Sequence, residues 1–354
     1  MILPRHFEKL LLKPSDLKPS RDDFEVVGAF NPGVVRAGDE VVMLVRVAER
    51  PREVRPGYTP LPHWDADKGL TVDWTPNDEL TPIDPRVVER KADGLVRLTF
   101  TSHIQVVRCG GGRAVREKTG VRFAPAGEME EFGVEDPRIT ELDGRYYFTY
   151  VAVSRHGAAT ALASTTDFVN FERHGVIFCS ENKDVVLFPE RIGGDFVALH
   201  RPNPATPFCR PEMWIARSPD LRHWGSHACL HGGGGAWETG RVGAGTPPVR
   251  VDGGWLEIYH GNRKPTKPGE VGAYSTGVLL LDPTDPSRVI ARTPDSIFEP
   301  TAGFERTGFV PDVVFPTGIV ESPDGWLVYY GAADSCSAVV EFRRDELLAT
   351  LVDV

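Results

Sequence analysis

The sequence predicts an all-β protein, a five-bladed β-propeller forming a single domain over residues 1–354, with short helical segments at its two ends. Three observations carry this expectation. Convincing helical periodicity is scarce. Short β-branched and aromatic runs dominate, punctuated by turn residues, in a chain with 36 Gly and 30 Pro. One unit recurs five times: a proline, a short strand, a Gly/Asp turn, then a second strand ending in polar residues.

The five units occupy residues 31–46, 135–150, 188–201, 246–260 and 315–330, around Pro32, Pro137, Pro189, Pro248 and Pro316. Their turns are Gly38-Asp39, Asp143-Gly144, Gly193-Gly194, Asp252-Gly253 and Asp324-Gly325, all residues that tolerate positive φ. A lone hairpin cannot bury its apolar face, whereas five stacked about an axis can. A β-sandwich, or two separate β domains, is the competing architecture. The long interval between the first two units holds a Pro-rich stretch from Pro51 to Pro85, read as an insertion or lid loop over residues 51–90. Helical segments are expected at residues 4–12 and 343–351, the second with Leu347, Leu348 and Leu351 on one face.

Charge and cysteine usage narrow the function. With 40 Lys+Arg against 50 Asp+Glu, the net charge is −10. That argues against nucleic acid as a partner, because phosphate-backbone binding needs clustered cations. No run approaches the ~18 apolar residues of a membrane span, and the N-terminus lacks the pattern of a secretory signal. Cys109, Cys179, Cys209, Cys229 and Cys336 are odd in number and dispersed, so neither a disulfide framework nor a zinc ribbon is expected and a cytoplasmic location fits. His223, His227 and His231 could mimic a metal face on a helix, but Trp224-Gly225 and the glycines at 232–235 argue for a loop and no metal site. Gly243-Ala-Gly245 lacks the context of a dinucleotide fingerprint, and no nucleophile elbow or Walker A motif is present.

In a propeller, equivalent hairpin ends converge on one funnel. Those ends carry Asn31 and Arg46, Glu135-Asp136, His200-Arg201, Tyr259-His260, and Tyr330 with Asp334. An acid, several cations and aromatics gathered together suit a polar, anionic ligand. In Gly133-Val-Glu-Asp-Pro-Arg138, Asp136 could give a proton to a leaving oxygen, or simply cap a turn and pair with Arg138. Asp84-Pro-Arg86 repeats the tripeptide inside the insertion, which shows how little it says alone. Arg201, Arg241, His260 and Tyr274 supply donors matched to phosphate or carboxylate. Trp64 and Trp74 are the candidate sugar-stacking platforms, with Trp214 and Trp255 read as core.

Together these residues resemble glycoside hydrolase family 130, the mannoside phosphorylases and related β-mannosidases, which are five-bladed propellers. The resemblance runs through Asn31-Pro-Gly, Gly133-Val-Glu-Asp-Pro-Arg, Asn182-Lys-Asp-Val-Val-Leu-Phe-Pro-Glu190, His200-Arg-Pro202, Gly254-Trp-Leu-Glu-Ile-Tyr-His-Gly261, Val314-Phe-Pro316 and Tyr330-Gly-Ala-Ala-Asp334. It implies that Asp136 is the proton donor, that Arg201, Arg241, His260 and Tyr274 cradle phosphate, and that Asn31, Arg46, Asp334 and His103 bind the substrate; Arg138, beside Asp136, is a further substrate-binding candidate. The implied reaction is inverting phosphorolysis of β-1,2- or β-1,4-linked manno-oligosaccharides to α-mannose 1-phosphate. Inorganic phosphate is the co-substrate and no cofactor is needed. In some members the proton passes through a sugar hydroxyl.

An inverting hydrolase would instead need a second carboxylate as base, for which Glu190, Glu238 and Glu257 are the candidates. A noncatalytic carbohydrate- or protein-binding propeller and a retaining glycosidase are the remaining readings. The acceptor subsite is expected from the Pro51–Pro85 insertion and the loops near Phe208 and Lys264. A homo-oligomer is compatible with the sequence.

Overall fold

The computed structural model describes residues 1–84, 86–204, 206, 208–265 and 271–354. Pro85, in the expected insertion, and residues 266–270, beside Lys264, lie outside the described residues. The protein is all-β, built mainly from five antiparallel sheets. The first orders Phe24–Ala37, Glu40–Pro51, Thr101–Gly110 and Ala114–Phe123. The second is a simple meander of Gly133–Leu142, Arg145–Ser154, Gly157–Thr165 and Glu172–Phe178. The third repeats it with Asn182–Leu187, Phe196–Pro202, Met213–Ser218 and Gly225–His231. The fourth runs Arg241–Ala244, Gly254–Asn262, Tyr274–Leu281, Val289–Arg292 and Val352–Asp353. The fifth joins Val314–Ser322, Gly325–Ala332 and Cys336–Arg343 to the N-terminal strand Phe7–Leu12. Each sheet contacts the next along the chain, and the fifth contacts the first.

Packing between sheets explains the unbroken apolar runs. Val41, Met43 and Val45 enter a core with Leu327, Tyr329 and Val339 of the fifth sheet. Val42 and Leu44 enter another with Ile139 and Phe148 of the second. Alternate side chains leave opposite faces of a strand, so a strand covered on both faces must be apolar throughout. Each such burial contributes roughly 1.5–3 kcal/mol. Trp255 is fully buried, edge-on to Phe188 at 5.3 Å, as expected for core. Trp214 is only half-buried.

Five expectations need correction. Residues 7–12 form a strand, not a helix. Leu11 and Leu12 bury in the core beside Val339, and pairing with the open edge of Cys336–Arg343 outweighs local propensity. At the C-terminus the helix is Arg344–Leu348, with Leu347 fully buried. The fifth turn is Pro323-Asp324, because Ser322 pairs with Gly325. His227 and His231 lie on the strand Gly225–His231 rather than in a loop, since Met213 and Trp214 offer backbone partners. The insertion is also more regular than a loop. It forms a hairpin, Tyr58–Asp65 with Gly69–Pro76, and a three-stranded sheet of Leu80–Asp84, Val87–Arg90 and Val96–Leu98. Among the described residues no helix is long and apolar enough to cross a membrane.

Candidate active site

Register shifts interrupt the sheet pairing at equivalent places: between Phe30 and Gly33, Glu135 and Arg138, and Lys183 and Val186. At each shift one residue takes a left-handed conformation: Asn31 (φ 48°), Asp136 (φ 50°) and Asp184 (φ 54°). A bulge re-aims the side chain it carries, and Asn and Asp are the residues that best accept positive φ. All three residues line one cavity, open to solvent. At Asn31 and Asp136 the repeated proline unit is thus the device that turns polar side chains out of the sheets, while the Asp184 bulge forms without a proline.

At one end of the cavity, Asp136 Oδ1 accepts hydrogen bonds from Asn31 Nδ2 at 2.8 Å and Arg46 Nη1 at 2.9 Å. Arg46 Nη2 donates to Glu135 Oε1 at 2.5 Å and Nε to Ser102 Oγ at 3.2 Å. Its guanidinium stacks on Phe30, 4.6 Å from the ring centre. Burial alone would raise the Asp136 pKa, but Arg46, Arg138 and the Asn31 hydrogen bond outweigh it and hold the carboxylate below its ordinary value. Among the described residues the Asn31 Oδ1 is buried without a partner. Arg138 lies behind this group, not on the cavity wall. Its Nε donates to the Gly245 carbonyl at 2.7 Å and its Nη1 to the Asp136 carbonyl at 3.0 Å, pinning the strained backbone.

The second cluster is built on Asp184. Its Oδ2 accepts from Arg201 Nε at 2.6 Å and sits 3.2 Å from His260 Nε2. Burial works against the charge on Asp184, yet Arg201 and His260 hold its pKa well below the usual carboxylate range. Burial also lowers the His260 pKa more than Asp184 restores it. Tyr274 packs beside His260, ring centres 5.8 Å apart. Arg201 Nη1 donates to Asn203 Oδ1 at 3.1 Å. Lys183 and Arg241 complete this wall.

At a third point Asp334 accepts from Arg86 Nη1 at 3.2 Å, and Arg86 Nη2 also donates to Asp84 Oδ2 at 3.1 Å. Burial raises the Asp334 pKa, Arg86 and Arg46 offsetting only part of the rise.

The cavity therefore gathers Asp136, Arg201, Arg241, Tyr274, Asn31, Arg46 and Asp334, with His260 fully buried behind the Asp184 cluster. It does not gather His103, whose ring lies 3.4 Å from the buried Glu49 carboxylate. None of the three candidate bases lines it. Glu190 is exposed, Glu238 is buried against Tyr259 and His231, and burial pushes the Glu257 pKa well above its ordinary value. Trp74 is covered by Arg55, and Trp64 borders a separate groove. The three histidines diverge, His223 to Asp220, His227 to His200 and His231 to Glu238.

Arg86, Lys183 and Asp184 were not singled out from the sequence. Arg86 carried a signal, the second Asp-Pro-Arg, and Lys183-Asp184 sits in a quoted motif; the bulge that exposes them has no letter of its own. All four cavity carboxylates are paired: Glu135 and Asp136 with Arg46, Asp184 with Arg201, Asp334 with Arg86. Among the described residues, Lys183 and Arg241 have no acidic partner. Beside Arg201 they leave one wall with positive charge in excess.

Residues 99–353 match the profile of glycoside hydrolase family 130, described as beta-1,4-mannooligosaccharide phosphorylase. The chain is 40% identical to the beta-1,2-mannobiose phosphorylase of Listeria innocua, over 99% of both chains. It is 40% identical to the 1,2-beta-oligomannan phosphorylase of a Thermoanaerobacter species, over 62% of this chain and 71% of that one. With the beta-1,4-mannooligosaccharide phosphorylase of Ruminococcus albus the identity is 33%, over 62% and 66% of the two chains. The Listeria innocua enzyme, solved in complex with beta-1,2-mannobiose, superposes with a TM-score of 0.89 at 39% identity, covering 96% of each chain.

Proposed function

Because this chain belongs to glycoside hydrolase family 130, we propose that it is an inverting β-mannoside phosphorylase acting on β-1,2-linked manno-oligosaccharides and inorganic phosphate. The observation that carries this is the cationic wall of Arg201, Lys183 and Arg241 facing the cavity that also holds Asp136. Phosphate is already an anion and needs charge neutralisation rather than a base. The absence of Glu190, Glu238 and Glu257 from the wall weighs against a hydrolytic base. The ring of contacts among the five sheets supports a single-domain five-bladed propeller. Five free cysteines suit a reducing cytoplasm.

In this reading a phosphate oxygen attacks the anomeric carbon from the α face as the bond to the leaving oxygen breaks. That oxygen takes the proton of Asp136, directly or through a sugar hydroxyl. Arg201, Arg241, Lys183 and Tyr274 hold the phosphate, while His260 supports the cradle through Asp184. Asn31, Arg46 and Asp334 hold the mannosyl unit. Arriving phosphate brings negative charge beside Asp136, which favours its protonated form.

Matched incubations with β-1,2- and β-1,4-mannobiose plus phosphate test the linkage. Faster turnover of the β-1,2 isomer is expected. Equal or faster turnover of the β-1,4 isomer overturns that assignment.

A further inference from the structure

Two glycines face the two charged clusters, and neither is in a turn. Gly331 lies in the strand Gly325–Ala332 and Gly243 in Arg241–Ala244. Neither has a positive φ, so backbone freedom is not what the positions require. Clearance is. A Cβ on Gly331 would overlap Asn31 Oδ1 and fall 2.9 Å from Asn31 Cγ. A Cβ on Gly243 would sit 2.5 Å from Asp184 Oδ2, 2.8 Å from His260 Cε1 and 2.9 Å from Arg201 Nε. By contrast, Gly38, Gly144 and Gly253 in the hairpin turns would meet nothing within 4 Å. The neighbours cannot step aside without breaking their own contacts. Asn31 is buried and tied to Asp136; Asp184 is buried between Arg201 and His260.

We infer that Gly331 and Gly243 are positioning residues for the reaction. The missing side chain at Gly331 lets Asn31 close on Asp136. The one missing at Gly243 lets Asp184, Arg201 and His260 close into a single cluster. The inference rests on the roles proposed above for Asp136 and Arg201. Overpacking a tightly filled site displaces its members, so each alanine disturbs a different step: proton delivery for Gly331, phosphate binding for Gly243.

The test compares Gly331→Ala and Gly243→Ala by kcat, by the KM for phosphate and for mannobiose, and by Tm. Gly331→Ala is expected to lower kcat by about tenfold or more with phosphate KM within about twofold. Gly243→Ala is expected to raise phosphate KM by about tenfold or more, with mannobiose KM and kcat changed far less. A uniform loss across all parameters in either variant overturns its assignment. Double-mutant cycles identify the partner. On an Asn31→Ala background Gly331→Ala should cost much less kcat and Tm than on the parent, and Gly243→Ala should cost less Tm on an Asp184→Ala background than on the parent, the contacts with His260 and Arg201 remaining. Equal losses in both backgrounds contradict the inference. A single variant that does not fold is read by the same cycle, recovery in the double variant supporting the contact and its failure overturning it. Phosphate-independent turnover by the unaltered enzyme would overturn the phosphorylase reading instead, leaving the Tm cycles to decide the contacts.

Discussion

Arg46 Nη1 lies 2.9 Å from Asp136 Oδ1 while the same guanidinium donates to Glu135, so one cation holds two neighbouring carboxylates. The proposed proton donor therefore stands ionised in the free cavity, and its proton must arrive with the substrates. Between neutral pH and mildly acid pH, kcat/KM for phosphate should be flat. Above the second ionisation of phosphate it should fall tenfold per pH unit, since one proton has then to be collected from solvent. A pH–rate series checks this; a rise in kcat/KM across that range would contradict it.

Asp136→Asn keeps the shape and its hydrogen-bond acceptor for Arg46 but cannot deliver a proton. The kcat should fall by roughly 10²–10⁴-fold with Tm little changed. Turnover at the original rate would remove Asp136 from the mechanism.

Arg201→Ala removes a phosphate ligand and the strongest partner of buried Asp184. Phosphate KM should rise by about ten- to a hundredfold, and Tm should fall because uncompensated buried charge destabilises by about 3–5 kcal/mol. Arg201→Lys restores a charge without the fork, so it should recover Tm more than phosphate KM. Steady-state kinetics alongside thermal melts separate the two effects.

Glu257 is fully buried and accepts from the Gly245 amide at 3.0 Å, and burial pushes its pKa well above the ordinary carboxyl value. Its raised pKa contributes stability that is complete at acid pH and is lost as pH rises above the ordinary carboxyl value towards the folded one. Glu257→Gln should remove that slope, leaving a variant whose Tm gains on the parent as pH rises. Phosphorolysis should persist. Loss of activity with preserved folding would instead make Glu257 part of the chemistry.

Arg86 ties the insertion's three-stranded sheet to Asp334. Arg86→Ala should raise mannobiose KM by about tenfold and leave phosphate KM within about twofold. The reverse pattern would place Arg86 in the anion cradle.

Much of this site was legible because the repeat that builds the sheets also delivers its side chains. Pro32 and Pro137 mark bulges that turn out Asn31 and Asp136, so finding the repeat located the Asp136 carboxylate and its neighbours in the cavity. Asp184 escaped because its bulge carries no proline: Val185-Val186 follow it, and nothing local distinguishes it from a buried strand. Residues 7–12 read as a helix because three leucines in a row fit either period, and only the open strand edge 330 residues away decides between them. Arg138 was read as a ligand residue from its place beside Asp136. Two apart in a regular strand the two would share a face, but the register shift between Glu135 and Arg138 and the positive φ of Asp136 break that alternation, and Arg138 meets the Gly245 carbonyl instead.

The central claim is that phosphate, not water, is the nucleophile. β-1,2-Mannobiose incubated with and without inorganic phosphate, with products resolved as free mannose and mannose 1-phosphate, tests it directly. The account predicts equimolar mannose and α-mannose 1-phosphate only when phosphate is present. Two equivalents of free mannose, released at the same rate with or without phosphate, would contradict it.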